Sequence, residues 1–425
     1  MRIAIIGGGV SGLVAGHRLS EKHEISLFEA NSNLGGHTNT VDVDLEGKRY
    51  AVDTGFIVFN DRTYPNFIQL MQDLKVESQP TRMNFSVSCE ATGLEYRGAD
   101  LPGLFAQRRN LFRPSFYRML ADFGRFNRLC EEHVTTGNEL ETVGEFLQHH
   151  RLSKQFIEQY FLPMGAAIWS ASFDTFRDFP IQFVAEFYQN HGLLGLKDRP
   201  QWRVIQGGSR QYIAPLIRKW KDQIVVNQPI EKVKRLENKV QVYPANSSAL
   251  EFDHVIFACH SDQALRILEA EATQVEREVL SAFPYHPNEA ILHTQDSVLP
   301  KNKRAWACWN YYRPASDSGR ATVTYNMNLL QSLDAPKVFC VTLNDEGRIR
   351  PENIIQKFNY EHPTFNVDRK AMQRRHGELI DHNMTSFCGA YWGNGFHEDG
   401  VKSAIEVCDV LSDASRTVVN GEAVV

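Results

Sequence analysis

Residues Arg2–Gly12 read RIAIIGGGVSG. Arg2–Ile6 is an apolar strand, Gly7-Gly8-Gly9-Val10-Ser11-Gly12 follows at once, and a helical pattern begins behind it. Ile25–Phe28 reads as a second strand ending at Glu29. Together they predict a β-α-β unit with G-x-G-x-x-G at its first turn and an acid closing its second strand. Gly7 allows the tight turn, Gly9 lets a pyrophosphate approach the backbone, and Gly12 lets the helix pack against the strand. The free N–H groups of the helix N-terminus face the phosphates. Glu29, 17 residues past Gly12, stands where a carboxylate accepts both hydroxyls of an adenosine ribose, and it repels a 2′-phosphate. A glycine-rich turn without a ligand would not need the second strand and its acid. The unit therefore predicts a dinucleotide site.

The chain has 425 residues, 42% hydrophobic and 23% charged, which predicts a globular protein of two domains. A net charge of −5 excludes a general nucleic-acid binder. Seven cysteines are scattered without a C-x-x-C pair, and no secretory pattern precedes the first strand. Reduced thiols in a cytoplasmic setting are expected, with no metal site. No run of 18 apolar residues is present, so no membrane span is predicted.

The segment after Glu29 separates FAD from NAD. Asn33-Leu34-Gly35-Gly36-His37-Thr38 carries a second glycine pair, which suggests a second close backbone approach. Thr40–Leu45 and Lys48–Val52 alternate around Glu46-Gly47 as a hairpin, and Asp53-Thr54-Gly55 closes the segment. A nicotinamide domain would continue with further β-α units.

On these residues the chain resembles the flavin-containing amine oxidase superfamily, which includes protoporphyrinogen oxidases and carotenoid desaturases. That group follows its fingerprint with R-x-G-G-R. Here Asn33 and His37 stand where the arginines are usual, so the backbone role of Gly35 and Gly36 is kept but the charge assistance to the phosphates is not: either His37 or Thr38 substitutes, or the contact is weaker. Gln206-Gly207-Gly208-Ser209 resembles the group's internal glycine-pair loop, before a helix-like Arg210–Trp220. Pro229–Val233 resembles the adenine-contacting strand, with Ile230 at the contact, and Phe252–Cys259 resembles the strand that returns to the FAD domain. Phe387-Cys388-Gly389-Ala390 resembles the last strand of that domain. His397-Glu398-Asp399-Gly400-Val401 leads a helix expected from about Lys402 to Leu411, whose N-terminus would stabilise negative charge on a reduced flavin. The resemblance implies FAD as cofactor, contacted by Gly7, Gly9, Val10, Ser11, Gly12, Glu29, Ala30, Gly35, Gly36, His37, Thr38, Ile230, Gly389, Gly400 and Val401.

Pro200–Ile213, Val323–Leu333 and Cys388–Gly400 resemble, more narrowly, a subgroup of FAD-binding oxidoreductases associated with cyclopropane fatty acid synthases. The expected fold is α/β: a discontinuous Rossmann-like FAD domain of residues 1–80, 200–285 and 380–425, with a substrate domain of residues 81–199 and 286–379 built from helices and a mixed sheet. Residues 105–190 carry helical periodicity. Ala290–Thr294, Ala305–Tyr312, Ala321–Met327 and Val338–Leu343 read as strands. The small and polar residues after Ala414 predict a poorly packed end.

Flavin accepts a hydride at N5 without a protein acid or base at the breaking bond, so the lack of a catalytic triad does not argue against an enzyme. Tyr391, Trp392 and His397 are the candidate catalytic residues. Tyr391 and Trp392 either wall the flavin or pack a domain interface, and His397 either serves as proton donor or acceptor or leads the helix with Glu398 and Asp399. Asp399 is the expected cap. Cys388, inside a strand, reads as a core thiol rather than a covalent flavin link. Tyr160–Ser172 (YFLPMGAAIWSAS) fits either a substrate tunnel or a core helix. Tyr311, Tyr325, Asn326 and Asn328 are candidates for the wall facing the flavin, and His260 reads as a structural strand end. Phe105–Arg128 holds six arginines against one acid, Asp122, with six aromatic residues interleaved. That pattern suits either a solvated helix face or peripheral contact with an anionic membrane.

The expected activity is two-electron transfer from substrate to flavin N5, with reoxidation by oxygen or another acceptor. The expected substrate is a small molecule or a lipid acyl chain, unsaturated or modified, undergoing desaturation. An amine or polyamine oxidase is one alternative, though acids are not visibly placed for a cation. A flavin-dependent double-bond isomerase and a non-catalytic flavoprotein partner of a lipid methyltransferase are the others.

Overall fold

Arg2–Ile6 forms the central strand of a five-stranded parallel sheet, ordered Ile224–Val225, Glu24–Phe28, Arg2–Ile6, His254–Phe257, Thr385–Phe387. Ile3 pairs with Ile25 on one side and His254 on the other. Residues Ile3–Ile6 are buried, as a strand covered on both faces requires, and this explains its unbroken apolar run. The computed structural model describes residues 1–420 except 170, 196–198, 316–321, 365 and 367. The helix Val10–Leu19 crosses from the first strand to the second, and the final helix, His397–Asn420, packs along it. That approach needs a bare backbone: a Cβ on Gly400 would lie 2.8 Å from Val10 Cγ1 and 2.9 Å from Ser11 Oγ.

A second, seven-stranded sheet runs Ile354–Pro363, Tyr285–His293, Cys340–Leu343, Thr322–Asn326, Trp309–Arg313, Phe85–Cys89, Leu94–Arg97. Its single parallel pair joins Trp309–Arg313 to Phe85–Cys89. Against it lies a helical layer dominated by Pro114–Thr136 and Ile181–Asn190, with Phe116, Phe126, Phe146, Phe156, Phe161 and Phe176 filling the space between. The α/β class with a Rossmann-like sheet and a mixed-sheet, helical second layer is thus the observed one.

Several boundaries depart from the sequence reading, each for a local reason. Ala305–Tyr312 is not one strand: Lys303–Ala305 is a 3-10 turn begun by Asn302, whose side chain accepts the Arg304 N–H at 3.0 Å, and pairing starts at Trp309. The next strand spans Thr322–Asn326, and Ala321 lies outside the described residues. It stops because the Asn326 side chain accepts the Leu329 N–H and turns the chain into a short helix. The strand Ile354–Pro363 escaped notice. Half of its residues are polar and one face is open to solvent, yet it pairs along the length of Tyr285–His293. The final helix begins at His397, not Lys402, because the Asp399 carboxylate accepts the Phe396 N–H at 2.9 Å and closes the first turn. It stays helical to Asn420, past Ala414.

The same first turn ties down another helix. Glu398 Oε2 accepts the Phe67 N–H at 2.9 Å, and its Oε1 accepts Asn66 N–H at 3.1 Å and Asn66 Nδ2 at 2.6 Å. These are orphan donors at the start of Pro65–Leu74. Glu398→Ala is expected to lower stability by about 1–3 kcal/mol, read as a lower urea midpoint at unchanged m-value. An unchanged midpoint would show that the tie contributes nothing.

Candidate active site

One continuous cavity of about 1480 Å³ runs from the glycine turns to the helical layer. It exceeds the ~300–1,000 Å³ of ordinary ligand pockets, so it has room for a dinucleotide and a second ligand together.

At the first end, Gly7 has φ +112°, and a Cβ there would sit 2.7 Å from the Ala258 carbonyl oxygen. A Cβ on Gly12 would collide with the Gly7 carbonyl oxygen, so helix and strand meet only through glycine. The second glycine turn locks onto the first: the Gly35 N–H donates to the Gly8 carbonyl at 2.8 Å, and Gly9 and Gly35 form a parallel bridge. A Cβ on Gly9 would meet nothing within 4 Å, which leaves its face open to the cavity. Glu29 also lines this end. Its Oε2 accepts the Gly8 N–H at 2.7 Å, and its Oε1 accepts the Asn31 N–H and Nδ2, each at 2.8 Å.

His37 lies beside this double turn in a group of rings. It stacks on Tyr360 at 5.1 Å, with His362 at 5.2 Å and His260 at 6.3 Å. Burial pushes His37 down to about 4 and His362 to about 3, so both are neutral at pH 7. His260 does not end the strand, which stops at Phe257; it stands at the N-cap of the helix Ser261–Leu268 and lines the cavity, its ring stacked on Tyr285 at 4.1 Å.

In the middle, His397 lies flat on Phe56, with centroids 3.6 Å apart. Its Nε2 is 2.8 Å from Thr38 Oγ1 and 3.4 Å from the Tyr212 hydroxyl, and Thr38 and Tyr212 are 2.6 Å apart. Burial lowers its pKa to about 3, so at neutral pH the ring carries no transferable charge. Asp53 forms a second buried node. It accepts from Thr40 Oγ1 at 2.6 Å and from the Ser209 N–H at 2.8 Å, while Gln331 Nε2 donates to its Oδ2 at 3.0 Å. It thereby joins the hairpin, the Gly207-Gly208 turn and the mixed sheet. Burial lifts it to about 6. The turn Ala390–Trp392 is held from behind, where Arg369 and Gln373 donate to the carbonyls of Tyr391 and Gly393.

The far arm is apolar. Phe85, Met119, Leu120, Phe123, Met164, Ile168, Trp169 and Phe187 line it. The helical run Lys154–Trp169 carries a π-type turn at Ile157–Phe161. Pro163 has no N–H for the Gln159 carbonyl four residues back, and the Tyr96 hydroxyl donates to that carbonyl at 2.6 Å. Tyr96 and Tyr160 both line the cavity.

Among the residues expected from sequence to contact cofactor, Gly7, Gly9, Val10, Ser11, Glu29, Gly35, Gly36, His37 and Gly389 line this one cavity. Gly12, Ala30, Thr38, Ile230, Gly400 and Val401 are absent from its lining: Gly12 and Gly400 serve packing, Thr38 holds His397, and Ile230 belongs to a core cluster beside the parallel sheet. Tyr391 and His397 line it. Trp392 does not, because its ring stacks on His376 at 4.0 Å and abuts Phe283 at 5.4 Å. Tyr325 lines it, whereas Tyr311 is buried in the helical core, Asn326 caps a short helix and Asn328 accepts the Phe339 N–H. Cys388 is buried, its thiol raised well above the ordinary value by burial, and behaves as a core thiol. From Tyr160–Ser172, Tyr160, Met164, Ile168 and Trp169 face the cavity, and Ser170 lies outside the described residues. The sequence reading missed Phe56, Tyr212 and Asp53. Asp53-Thr54-Gly55-Phe56, directly after the hairpin, was the available signal.

Residues 10–412 match the model of the flavin-containing amine oxidoreductases. The chain belongs to this family. It is accordingly an FAD-dependent oxidoreductase. A 4,4′-diapophytoene desaturase of Staphylococcus aureus is 34% identical over 83 residues, and that of another strain is 49% identical. Each match spans 17% of this chain and 16% of the desaturase. Cyclohexylamine oxidase from Brevibacterium oxydans superposes with a TM-score of 0.68 at 15% identity, covering 97% of this chain and 99% of that one. The CLA-producing fatty acid isomerase from P. acnes superposes with a TM-score of 0.65 at 16% identity, covering 97% of this chain and 98% of that one. At such identities these likenesses establish the fold.

Burial sets a pH dependence. His37, His191, His254 and His293 are pushed down to about 4, and His362 and His397 to about 3, mainly by desolvation. Below the ordinary histidine value of ~6.5 the unfolded chain binds protons that the folded chain refuses, so acidification destabilises. Asp53 and Asp399, raised to about 6, act in the opposite sense but are fewer. Thermal melts are expected to show Tm falling by more than about 5 °C between pH 7 and pH 5. A flat profile would contradict neutral buried histidines.

Proposed function

We propose that this oxidoreductase acts on an unsaturated or modified fatty-acyl chain and introduces a double bond. The observation that carries the proposal is the apolar arm of the cavity, continuous with the glycine turns. An acyl chain gains from desolvation on such a wall, whereas an ammonium would need acids or an electron-rich cage. Among the described lining residues the carboxylates are Glu29, Asp100 and Glu361. Glu29 is held at the glycine turns, Asp100 pairs with Arg97 at 2.7 Å, and Glu361 lies 3.3 Å from His260. All three are thus engaged by the protein itself. This favours the acyl reading over amine oxidation.

The residues we assign to FAD are Gly7, Gly9, Val10, Ser11, Gly35, Gly36 and His37 at the diphosphate, Glu29 at the ribose, and Gly389, Tyr391 and His397 toward the flavin ring. FAD, when bound, supplies a two-electron acceptor at N5. The chain's own residues bind the acyl group, orient it and exclude water. His397 serves as a neutral positioning residue, fixed by Thr38, Tyr212 and Phe56. The modified acyl group is the kind of product a lipid methyltransferase of the cyclopropane fatty acid synthase type would deliver. The resemblance of Pro200–Ile213, Val323–Leu333 and Cys388–Gly400 to flavoproteins associated with such synthases supports that link.

Anaerobic mixing of purified holoprotein tests the substrate class. Detergent-dispersed lipid carrying unsaturated or methylated chains is expected to bleach the flavin absorbance, and polyamines are expected not to. The reverse result would reassign the protein as an amine oxidase, and acyl product without lasting bleaching would make it an isomerase. Leu120→Trp, which fills the arm without burying charge, is expected to raise the half-saturating lipid concentration about tenfold at unchanged FAD content. Glu29→Gln is expected to weaken FAD binding about tenfold, measured by flavin release on dilution.

A further inference from the structure

Leu101 connects the cavity to the outside. It lines the cavity together with Leu104, yet it is 71% exposed. Phe112 is 86% exposed, Tyr117 47% and Leu111 43%. These side chains form one patch. The Phe105 N–H donates to the Leu101 carbonyl at 3.0 Å, the Phe105 ring lies 6.2 Å from Tyr117, and the Tyr117 hydroxyl donates to the Leu111 carbonyl at 3.0 Å. A run of exposed apolar side chains that continues into an apolar cavity marks a contact surface rather than scattered surface leucines.

The charges interleaved with Leu111, Phe112 and Tyr117 in the sequence have one sign. Arg108, Arg109, Arg113 and Arg118 flank these residues in sequence, and the acid of the segment, Asp122, is buried and accepts the Ser153 N–H at 2.9 Å. Asp100 is engaged by Arg97. Arg109 donates to the Gly93 carbonyl and Arg113 lies 3.5 Å from Asn110 Oδ1, so neither charge is cancelled by a carboxylate. No helix among the described residues is long and apolar enough to cross a membrane. An aromatic and leucine tip with arginines interleaved along its sequence is the composition that seats in the headgroup boundary of an anionic bilayer.

We propose that Leu101, Leu111, Phe112 and Tyr117 dock the protein on an anionic lipid bilayer, with the arginines at 108–118 on the headgroups, and that acyl chains enter the cavity past Leu101 and Leu104. This rests on the acyl-chain reading for its purpose, but docking is measured separately. Holoprotein is floated with vesicles of phosphatidylcholine alone or with phosphatidylglycerol added. Flotation is expected with the anionic vesicles at low salt and lost at about 1 M salt, where the screening length shrinks to ~3 Å. Two variants, Leu111→Ser/Phe112→Ser and Arg108→Glu/Arg118→Glu, are each expected to reduce bound protein about tenfold or more. Flavin content and bleaching by detergent-dispersed lipid should stay unchanged in both. Failure to float, or variants that float like the parent, would overturn the docking proposal even if dispersed lipid still bleaches the flavin. Flotation without bleaching by any lipid would leave docking standing and remove the acyl-chain reading.

Discussion

The contact between two glycine turns is the constraint on which the site depends. The Gly35 N–H reaches the Gly8 carbonyl, and Gly12 abuts the Gly7 carbonyl oxygen. Any Cβ at Gly7 or Gly12 would separate the first strand, its helix and the neighbouring strand. With them pressed together, the amide edge of the turn and the carboxylate of Glu29 face the same end of the cavity. Glu29 supports the turn through Gly8 before it meets any ligand, so structure and recognition share one side chain.

Family members ordinarily carry arginine where this chain has His37. The structure surrounds that histidine with His260, His362 and Tyr360 and removes it from water, which suppresses its charge. Among the described lining residues the arginines are Arg82 and Arg199, and neither belongs to the segments of the two glycine turns. The glycine-turn end therefore presents backbone dipoles and amide hydrogens, already aligned, rather than side-chain cations.

Much of this was legible in the chain because the signals were local. Glycines at fixed offsets, a buried apolar strand and an acid at the next strand's end depend on neighbours within 29 residues. Ile354–Pro363 was not legible, because an edge strand with one wet face lacks the apolar run of a central one. Trp392 looked like a flavin wall from its neighbours in sequence, but His376 and Phe283 claim its ring, and no spacing rule foretells that. Asp53 was unreadable as a node because its partners, Ser209 and Gln331, lie more than 150 residues away in the chain. Glu398 went unassigned for the same reason: the amides it holds are on Asn66 and Phe67.

The order of strands in the parallel sheet carries a consequence for folding. Its outer member, Thr385–Phe387, pairs with His254–Phe257, and the helix from His397 then covers the opening turn. Gly9 and His397 are 388 residues apart in the chain. Contacts of such long sequence separation form slowly, so the glycine loop is covered late in folding. A folding intermediate in which the helix from His397 has not yet docked would therefore keep its fingerprint open to water.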